Sequence, residues 1–429
     1  MAERRLRRRE AEADAGQVTA ARPAGRWAVA LAGAVSLAVA MGIGRFAFTP
    51  LLPMMLHDGV IDLHGASWLA SANYLGYLAG ALLCTFQPWI WARVRGLPAI
   101  NPTTMVRGGL VATGLLTLGM ALPLAAGWPL LRFAAGVASA LVFVYTSGWC
   151  LAQLARMNEA ALGGAIYTGP GAGIVVSGVF ASGMVQWGWP AQAGWAIFGV
   201  LAFVLTACVW RTFHGASSPA APATVAAAAI DAGAVAHGRT EIGCLALAYG
   251  LAGFGYIVTA TFLPVIARQA LPGSPWLDMF WPVFGLGVTM GALLATRLRV
   301  TLDMRLLLAG CYLVQAAGIA IGVWSPSLAG FAIGSLLLGI PFTAITFFAM
   351  QEVRRLRPLL VASFMGLLTA VYGIGQIAGP PMVALILRQS RNTGAGFTLA
   401  LEIAAGGLLA GALLYLSMLR IWPRRTIIV

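Results

Sequence analysis

Lysine is absent from this chain, and carboxylates are scarce: 13 Asp and Glu stand against 27 basic residues, every one an arginine, among 429. Charged residues make up 9% of the sequence, where a water-soluble chain carries about 25%. That shortage excludes an ordinary soluble domain. The four histidines, His57, His64, His214 and His237, all fall outside the long apolar runs, so none is available inside them for proton chemistry. Cys84, Cys150, Cys208, Cys244 and Cys311 have no metal-ligand spacing and read as packing residues, so neither a metal site nor a cofactor is expected. No glycine-rich phosphate loop is present, which removes a local ATP-driven engine. No Ser/His/Asp or Cys/His set argues for an enzyme.

What the chain has instead is apolar length. It is 60% hydrophobic, with a mean hydropathy of +0.85. Runs of roughly 20 apolar residues recur, and each can cross a hydrocarbon core of about 30 Å as a helix. Twelve are read: 27–49, 66–91, 103–125, 128–153, 159–185, 191–212, 241–267, 276–297, 304–324, 327–350, 359–387 and 395–419. They are too long and too continuously apolar for barrel strands, which leaves helices. The expectation is an all-α membrane protein of twelve transmembrane helices in two pseudo-symmetric six-helix bundles. Residues 1–26 read as an Arg-rich tail, 27–212 as the first bundle, 213–240 as a linker rich in Ala, Pro, Ser and Gly, 241–420 as the second bundle and 421–429 as a short tail.

A pI of 10.6 invites a nucleic-acid reading, but the placement of the arginines argues against it. With the N-terminus inside, the inner segments hold 22 of the 27, and the outer loops hold only Arg268, Arg388 and Arg391. This is the positive-inside bias, and it places both termini in the cytoplasm of a cell whose inner membrane the protein spans. The first 26 residues carry seven Arg and four acids with no cleavable apolar region after them, which reads as a tail rather than a signal peptide. The bilayer is thus an expected partner, and nucleic acid is not.

The chain also repeats itself. Residues 75–85 read LGYLAGALLCT and 286–296 read LGVTMGALLAT, 211 positions apart and identical at seven of eleven. GIGRFAFTPLLP at 42–53 answers GFGYIVTATFLP at 253–264 at the same offset, and Gly169-Pro170 answers Gly379-Pro380. Helices 1, 2 and 5 therefore repeat as 7, 8 and 11, while helices 3, 4 and 6 show no pairs. Six helices per unit make the repeats parallel, related by an axis along the membrane normal. Gly76 with Gly80, and Gly287 with Gly291, are spaced for close helix crossing. Gly169, Pro170, Gly379 and Pro380 break the hydrogen-bond ladder inside a span. All eight are candidate gating or helix-crossing positions.

Arg45 is the sharpest single feature. It lies about 27 Å along a straight helix from Trp27, with no other charge between Arg26 and Asp58. A guanidinium in the membrane costs about 3 kcal/mol on insertion scales, so something must compensate. One reading is a wet cavity and an anionic substrate, because the planar fork donates two parallel hydrogen bonds to a carboxylate. The other is snorkelling to the outer headgroups, or pairing with carbonyls of a broken helix. Its repeat partner is Tyr256. Asn73 with Tyr77, Tyr145, Gln315, and Tyr372 with Gln376 are further polar side chains inside spans, each open to a helix–helix or a ligand role. From these, Arg45, Asn73, Tyr77, Tyr145, Tyr256 and Gln376 are the candidate substrate-binding set. Trp149 and Trp281 are read either as interfacial anchors or as cavity lining. Glu402 is the one acid expected within a span, as a coupling carboxylate or as the partner of Arg388 or Arg391.

GIGRFAFTPLLPMM (42–55), ANYLGYLAGAL (72–82) and GFGYIVTATFLPVIAR (253–268) resemble the YbfB/YjiJ subgroup of the major facilitator superfamily, from about Trp27 to Arg420. The resemblance implies a twelve-helix, alternating-access secondary carrier with a central cavity between its halves. Ala165 to Pro170 looks like the superfamily's Gly-Pro segment of helix 5. The loop between helices 2 and 3 departs from the superfamily pattern: Trp91-Ala92-Arg93-Val94-Arg95-Gly96 keeps an Arg and loses the Asp, whereas Arg297, Arg299, Asp303 and Arg305 retain more of it in the second half. Three functions stay open: transport of a small organic anion, efflux of amphipathic compounds, or a non-transporting membrane scaffold. A coupling ion is a further partner left open.

Overall fold

The computed structural model describes residues 25–94, 100–213, 239–274, 276–297, 303–356 and 361–423. Nearly all of the tail 1–26 and the linker 213–240, most of 421–429, and Arg95, Gly96 and Arg299 lie outside them. Twelve helical spans make up the described chain, with no strand among them. They are α1 (Arg26–His57), α2 (Leu63–Arg93), α3 (Pro102–Gly119), α4 (Trp128–Arg156), α5 (Gly169–Gln186, entered through a 3-10 stretch at Ala160–Thr168) and α6 (Ala191–Trp210). The second set is α7 (Arg239–Ala270), α8 (Phe280–Arg297), α9 (Met304–Trp324), α10 (Leu328–Leu356), α11 (Val361–Gln389) and α12 (Thr393–Ile421). Eleven are long and apolar enough to cross a bilayer. The exception is α3, only 18 residues long and diluted by Thr103, Thr104 and Arg107 near its start, yet it packs between α4 and α6 like the others. Leu31, Leu130 and Leu413 are more than 60% exposed, on the outward faces where lipid replaces water.

Span ends are marked by short polar caps. The Asp62 carboxylate accepts from Gly65 N at 2.7 Å to open α2, and Asn392 does the same for Ala395 N at 2.6 Å to open α12. Asn101 precedes Pro102 at the first turn of α3.

Packing extends the repeat to helices where the sequence shows none. In the first half α2 lies on α4, α1 on α5 and α3 on α6; in the second α8 lies on α10, α7 on α11 and α9 on α12. Across the halves, α2 meets α11 and α5 meets α8, again as an equivalent pair. The axis of this pseudo-symmetry is visible in one bond. Thr49 Oγ1 on α1 donates to the Ala260 carbonyl on α7 at 2.8 Å, and these positions are separated by the repeat offset of 211.

The glycine pairs do their work inside each half. A Cβ on Gly76 would fall on the Phe133 carbonyl of α4, and one on Gly80 within 2.9 Å of Val137 O. On the other side, Gly287 and Gly291 face the Leu336 and Ile340 carbonyls of α10. Gly169 lies on Ala34 of α1, and Gly379 on Ile257 of α7. The close approaches between halves belong to other glycines: Gly171 and Gly178 against α8, Gly285 against α5, and Gly366 and Gly373 against α2. Gly76, Gly80, Gly287 and Gly291 thus face backbone of a neighbouring helix, but Pro170 opens α5 instead of interrupting a span and Pro380 lies in an α11 that runs unbroken from Val361 to Gln389. The contacts that must slide if the halves rock were not read from the sequence.

Two spans are broken. α1 changes from α-helix at Arg26–Leu37 to a π-helical turn at Ala38–Ile43, then resumes as Phe48–His57. Pro50 and Pro53 lack N–H groups, and Gly42 lets α1 press against Gly173. α10 breaks between Gly339 and Pro341. In lipid such carbonyls need partners. Arg132 on α4 supplies them in the first half, donating to Gly44 O at 3.1 Å and Arg45 O at 3.0 Å. Gln315 on α9 donates to Leu338 O at 3.0 Å in the second.

Candidate substrate site

Arg45 emerges just past the π turn of α1, where the break aims it across the axis rather than along its own helix. It is only 3% exposed. The snorkelling alternative therefore fails, because the side chain runs to the second half. One terminal nitrogen donates to Gln376 Oε1 on α11 at 2.7 Å, and the Gln376 amide nitrogen donates to the Tyr256 hydroxyl on α7. Arg45 and its repeat partner are thus joined through one glutamine. The guanidinium carbon sits 4.2 Å from the Tyr77 ring centroid, 5.2 Å from Tyr74 and 5.3 Å from Phe46. Such faces stabilise a cation by about 0.5–2 kcal/mol each, more when desolvated. The Arg45 Nε atom is buried with no hydrogen-bond partner, and no described carboxylate lies within ion-pair distance of Arg45.

Around this core stand rings from five further helices. Tyr74 on α2 hydrogen-bonds Thr261 of α7 at 2.9 Å. Tyr256 stacks on Tyr372 with centroids 5.9 Å apart and meets Phe342 of α10 at 5.0 Å. Phe46 contacts Trp281 of α8 at 6.1 Å and Phe342 at 6.3 Å, so one ring of the first half rests on two of the second. The Trp281 Nε1 donor is fully buried and unpartnered.

Four of the six predicted site residues, Arg45, Tyr77, Tyr256 and Gln376, thus form one cluster. Asn73 does something else: its amide donates to the Arg132 carbonyl at 2.9 Å, fixing α2 to α4 next to the arginine that holds α1. Tyr145, half-buried on α4, makes no hydrogen bond or ring contact with the cluster. Phe46, Phe342 and Arg132 surround or support this cluster and were not singled out for it, while Tyr74 and Tyr372, polar side chains inside spans, lie against it and were left out of the candidate set. Arg132 was visible as a second arginine inside a span. Its task was not, because the carbonyls it meets are 87 and 88 positions away. The open chamber expected at Arg45 is replaced here by packed rings. Two small cavities occur elsewhere, one lined by Thr259, Gly318, Phe331 and Ser335 and one by Ile242, Val353 and Phe364.

A second polar centre lies at the end that bears the termini. Arg305 is fully buried, bonded to Asp303 at 2.9 Å and to the Met418 and Trp422 carbonyls at 3.0 and 2.8 Å, with Glu241 at 3.6 Å and Glu352 at 3.7 Å. Arg355 joins Glu352 at 2.6 Å and Glu241 at 3.4 Å. Glu241 and Glu352 are buried acids at helix ends, so Glu402 is not alone. Glu402 faces outward from α12 and pairs with neither Arg388 nor Arg391. At the opposite end Arg388 of α11 contacts His64 Nε2 of α2 at 2.9 Å, one link between the halves, and Arg268 pairs with Asp278 at 2.6 Å. No group of His, Cys, Asp and Glu that could hold a metal occurs among the described residues.

The sequence model of the family described as "Uncharacterised MFS-type transporter YbfB" matches residues 37–416. Solved structures share the architecture at low identity. A variant of the nucleoside transporter NupG is 14% identical with a TM-score of 0.68, over 91% of this chain and 99% of that one. A D-xylose-proton symporter is 12% identical with a TM-score of 0.69, over 91% and 97%. These likenesses establish the fold alone. No curated protein matches the chain.

Proposed function

The chain belongs to the YbfB family of major facilitator transporters, and we propose that within it this protein carries a small organic anion, a carboxylate, across the inner membrane by alternating access, with both termini in the cytoplasm. The observation that supports this reading is the balance of donors and acceptors at Arg45. A guanidinium fork is held where the halves meet, with one nitrogen unpartnered and no described carboxylate in reach. A carboxylate arriving there neutralises the fork and meets two parallel donors, a geometry that neutral solutes do not use. Gln376 is then a placeholder that turns aside and keeps its bond to Tyr256. Exchange of one anion for another, or uniport, suits a site whose contacts contain no titratable acid or histidine. Counterflow in proteoliposomes tests the reading: a panel of labelled carboxylates should include one that Arg45→Ala reduces to the background of empty vesicles. Flux of neutral solutes alone, unchanged in Arg45→Ala, rejects it.

The ring cluster favours a second reading, export of amphipathic compounds. In that case deletion of the gene lowers tolerance to such compounds, while Arg45→Ala leaves tolerance unchanged.

A further inference from the structure

The rings around Arg45 narrow the cargo. This step rests on the anion reading and adds to it the body to which the charge is attached. Phe46 follows Arg45 directly, and its ring is the one that passes between the halves, edge-on to Trp281 at 61° and to Phe342 at 74°. Trp281 is backed by a stacked Phe284 at 5.1 Å, and Phe342 by Tyr256. The partners of Phe46 thus have fixed planes, held from behind by other rings. The surfaces of Phe46, Trp281 and Phe342 that meet across the halves beside the guanidinium are flat aromatic rings. Tilted and stacked ring pairs at these centroid distances gain stability beyond their buried area, which a saturated body of the same size does not gain. Two buried donors near Phe46, Arg45 Nε and Trp281 Nε1, are left unpartnered, as are Arg132 Nε and Trp195 Nε1 elsewhere in the first half. In a membrane interior an unmet donor is expensive, and each calls for an acceptor that the chain itself does not supply.

We propose that the cargo is an aromatic carboxylate: its carboxylate takes the free edge of Arg45, and its ring enters between Phe46 of one half and Trp281 and Phe342 of the other. An oxygen carried on the ring is the natural acceptor for the Trp281 N–H. Phe46 and Trp281 are then specificity residues, and the packed rings seen here are the substrate-free form of the same stack.

The test is equilibrium binding to the purified full-length protein in nanodiscs. The probes are benzoate, phenylacetate and 3-phenylpropanoate, their cyclohexyl counterparts, and the corresponding benzene-ring amides. At least one aromatic acid should bind about three- to tenfold more tightly than its saturated twin. In Phe46→Leu and Trp281→Leu that ratio should fall towards one, whatever the change in affinity for the cyclohexyl acid, and unfolding temperatures report that the variants are folded. Equal binding of aromatic and saturated acids overturns the proposal and leaves the anion reading standing. Amides that bind as well as acids overturn the anion reading itself. If none of the acids binds, or if the ring preference survives both substitutions, the placement of the ring is wrong.

Discussion

Arg45 and Arg132 are two guanidiniums inside one bundle, and their surroundings separate their tasks. Arg132 is spent on the chain: two donors hold the Gly44 and Arg45 carbonyls, and the rings of Phe48 and Trp195 lie at 5.1 and 5.9 Å. Both keep a buried Nε without a partner, but Arg45 spends a single terminal donor, on the Gln376 side chain of the other half, and none on backbone carbonyls. Substitution should separate them. Arg132→Met strands two buried carbonyls, each worth about 1–3 kcal/mol, and should lower the unfolding temperature by several degrees along with transport. Arg45→Ala should lower the unfolding temperature less than Arg132→Met, because the ring contacts it loses are offset by removing a buried charge that has no counter-ion. Differential scanning fluorimetry in detergent reads both; an Arg132→Met protein as stable as the parent would remove the clamp from the account. The sequence made Arg45 conspicuous because a lone charge in an apolar run is costly wherever it ends up. It left Arg132 undetermined, because the clamp exists only once α1 has broken against α4.

At the scale of elements, the spans were legible and their interruptions were not. Hydrophobic length located every helix, since each must bridge the same thickness of lipid, but not every end: α1 runs on to His57 and α10 to Leu356, past the 49 and 350 read from the sequence, and α3 stops at Gly119, short of 125. The π turn in α1 was not legible: Gly42, Gly44, Pro50 and Pro53 are each tolerated in membrane helices, and only contacts from other helices decide which of them ends the ladder. Likewise, glycine spacing announced close crossings but not partners. A Cβ on Gly291 would fall on the Ile340 carbonyl, backbone that cannot turn away. Gly291→Val should therefore cost about 1–3 kcal/mol by overpacking against α10. Gly148 has nothing within 4 Å of a Cβ, and Gly148→Ala should be neutral or gain a few tenths to about 1 kcal/mol from reduced chain entropy. Urea or heat titration of the two variants side by side checks the contrast, and equal effects would mean the α8–α10 crossing is looser than drawn.

For the whole molecule, motion of one half over the other has to break the links that span them. At the end away from the termini these include Arg388–His64 and Ser71–Ile377, and near the axis Thr49–Ala260. His64→Cys with Arg388→Cys, in a background stripped of Cys84, Cys150, Cys208, Cys244 and Cys311, places two thiols where that first link stood. A short bifunctional maleimide should then stop counterflow, while the uncrosslinked pair continues to turn over. Undiminished flux after crosslinking would show that this end does not open. The duplication visible at 75–85 and 286–296 anticipated such a two-body machine, though half of its helices had lost the trace in sequence and are matched only by what they pack against.

The bond from Thr49 to Ala260 has a history written into it. Positions equivalent in a repeat touch only where they straddle a two-fold axis, and there an identical pair would bond reciprocally, each hydroxyl to the other's backbone. Alanine at 260 has no hydroxyl, so one arm of that handshake survives. If the repeat arose by duplication, the surface between the halves descends from a self-association face, and the two halves, made as separate chains, should still find one another in the membrane. Co-purification of an untagged second half with a tagged first half measures that directly, and failure to recover it would mean the linker has become indispensable to assembly.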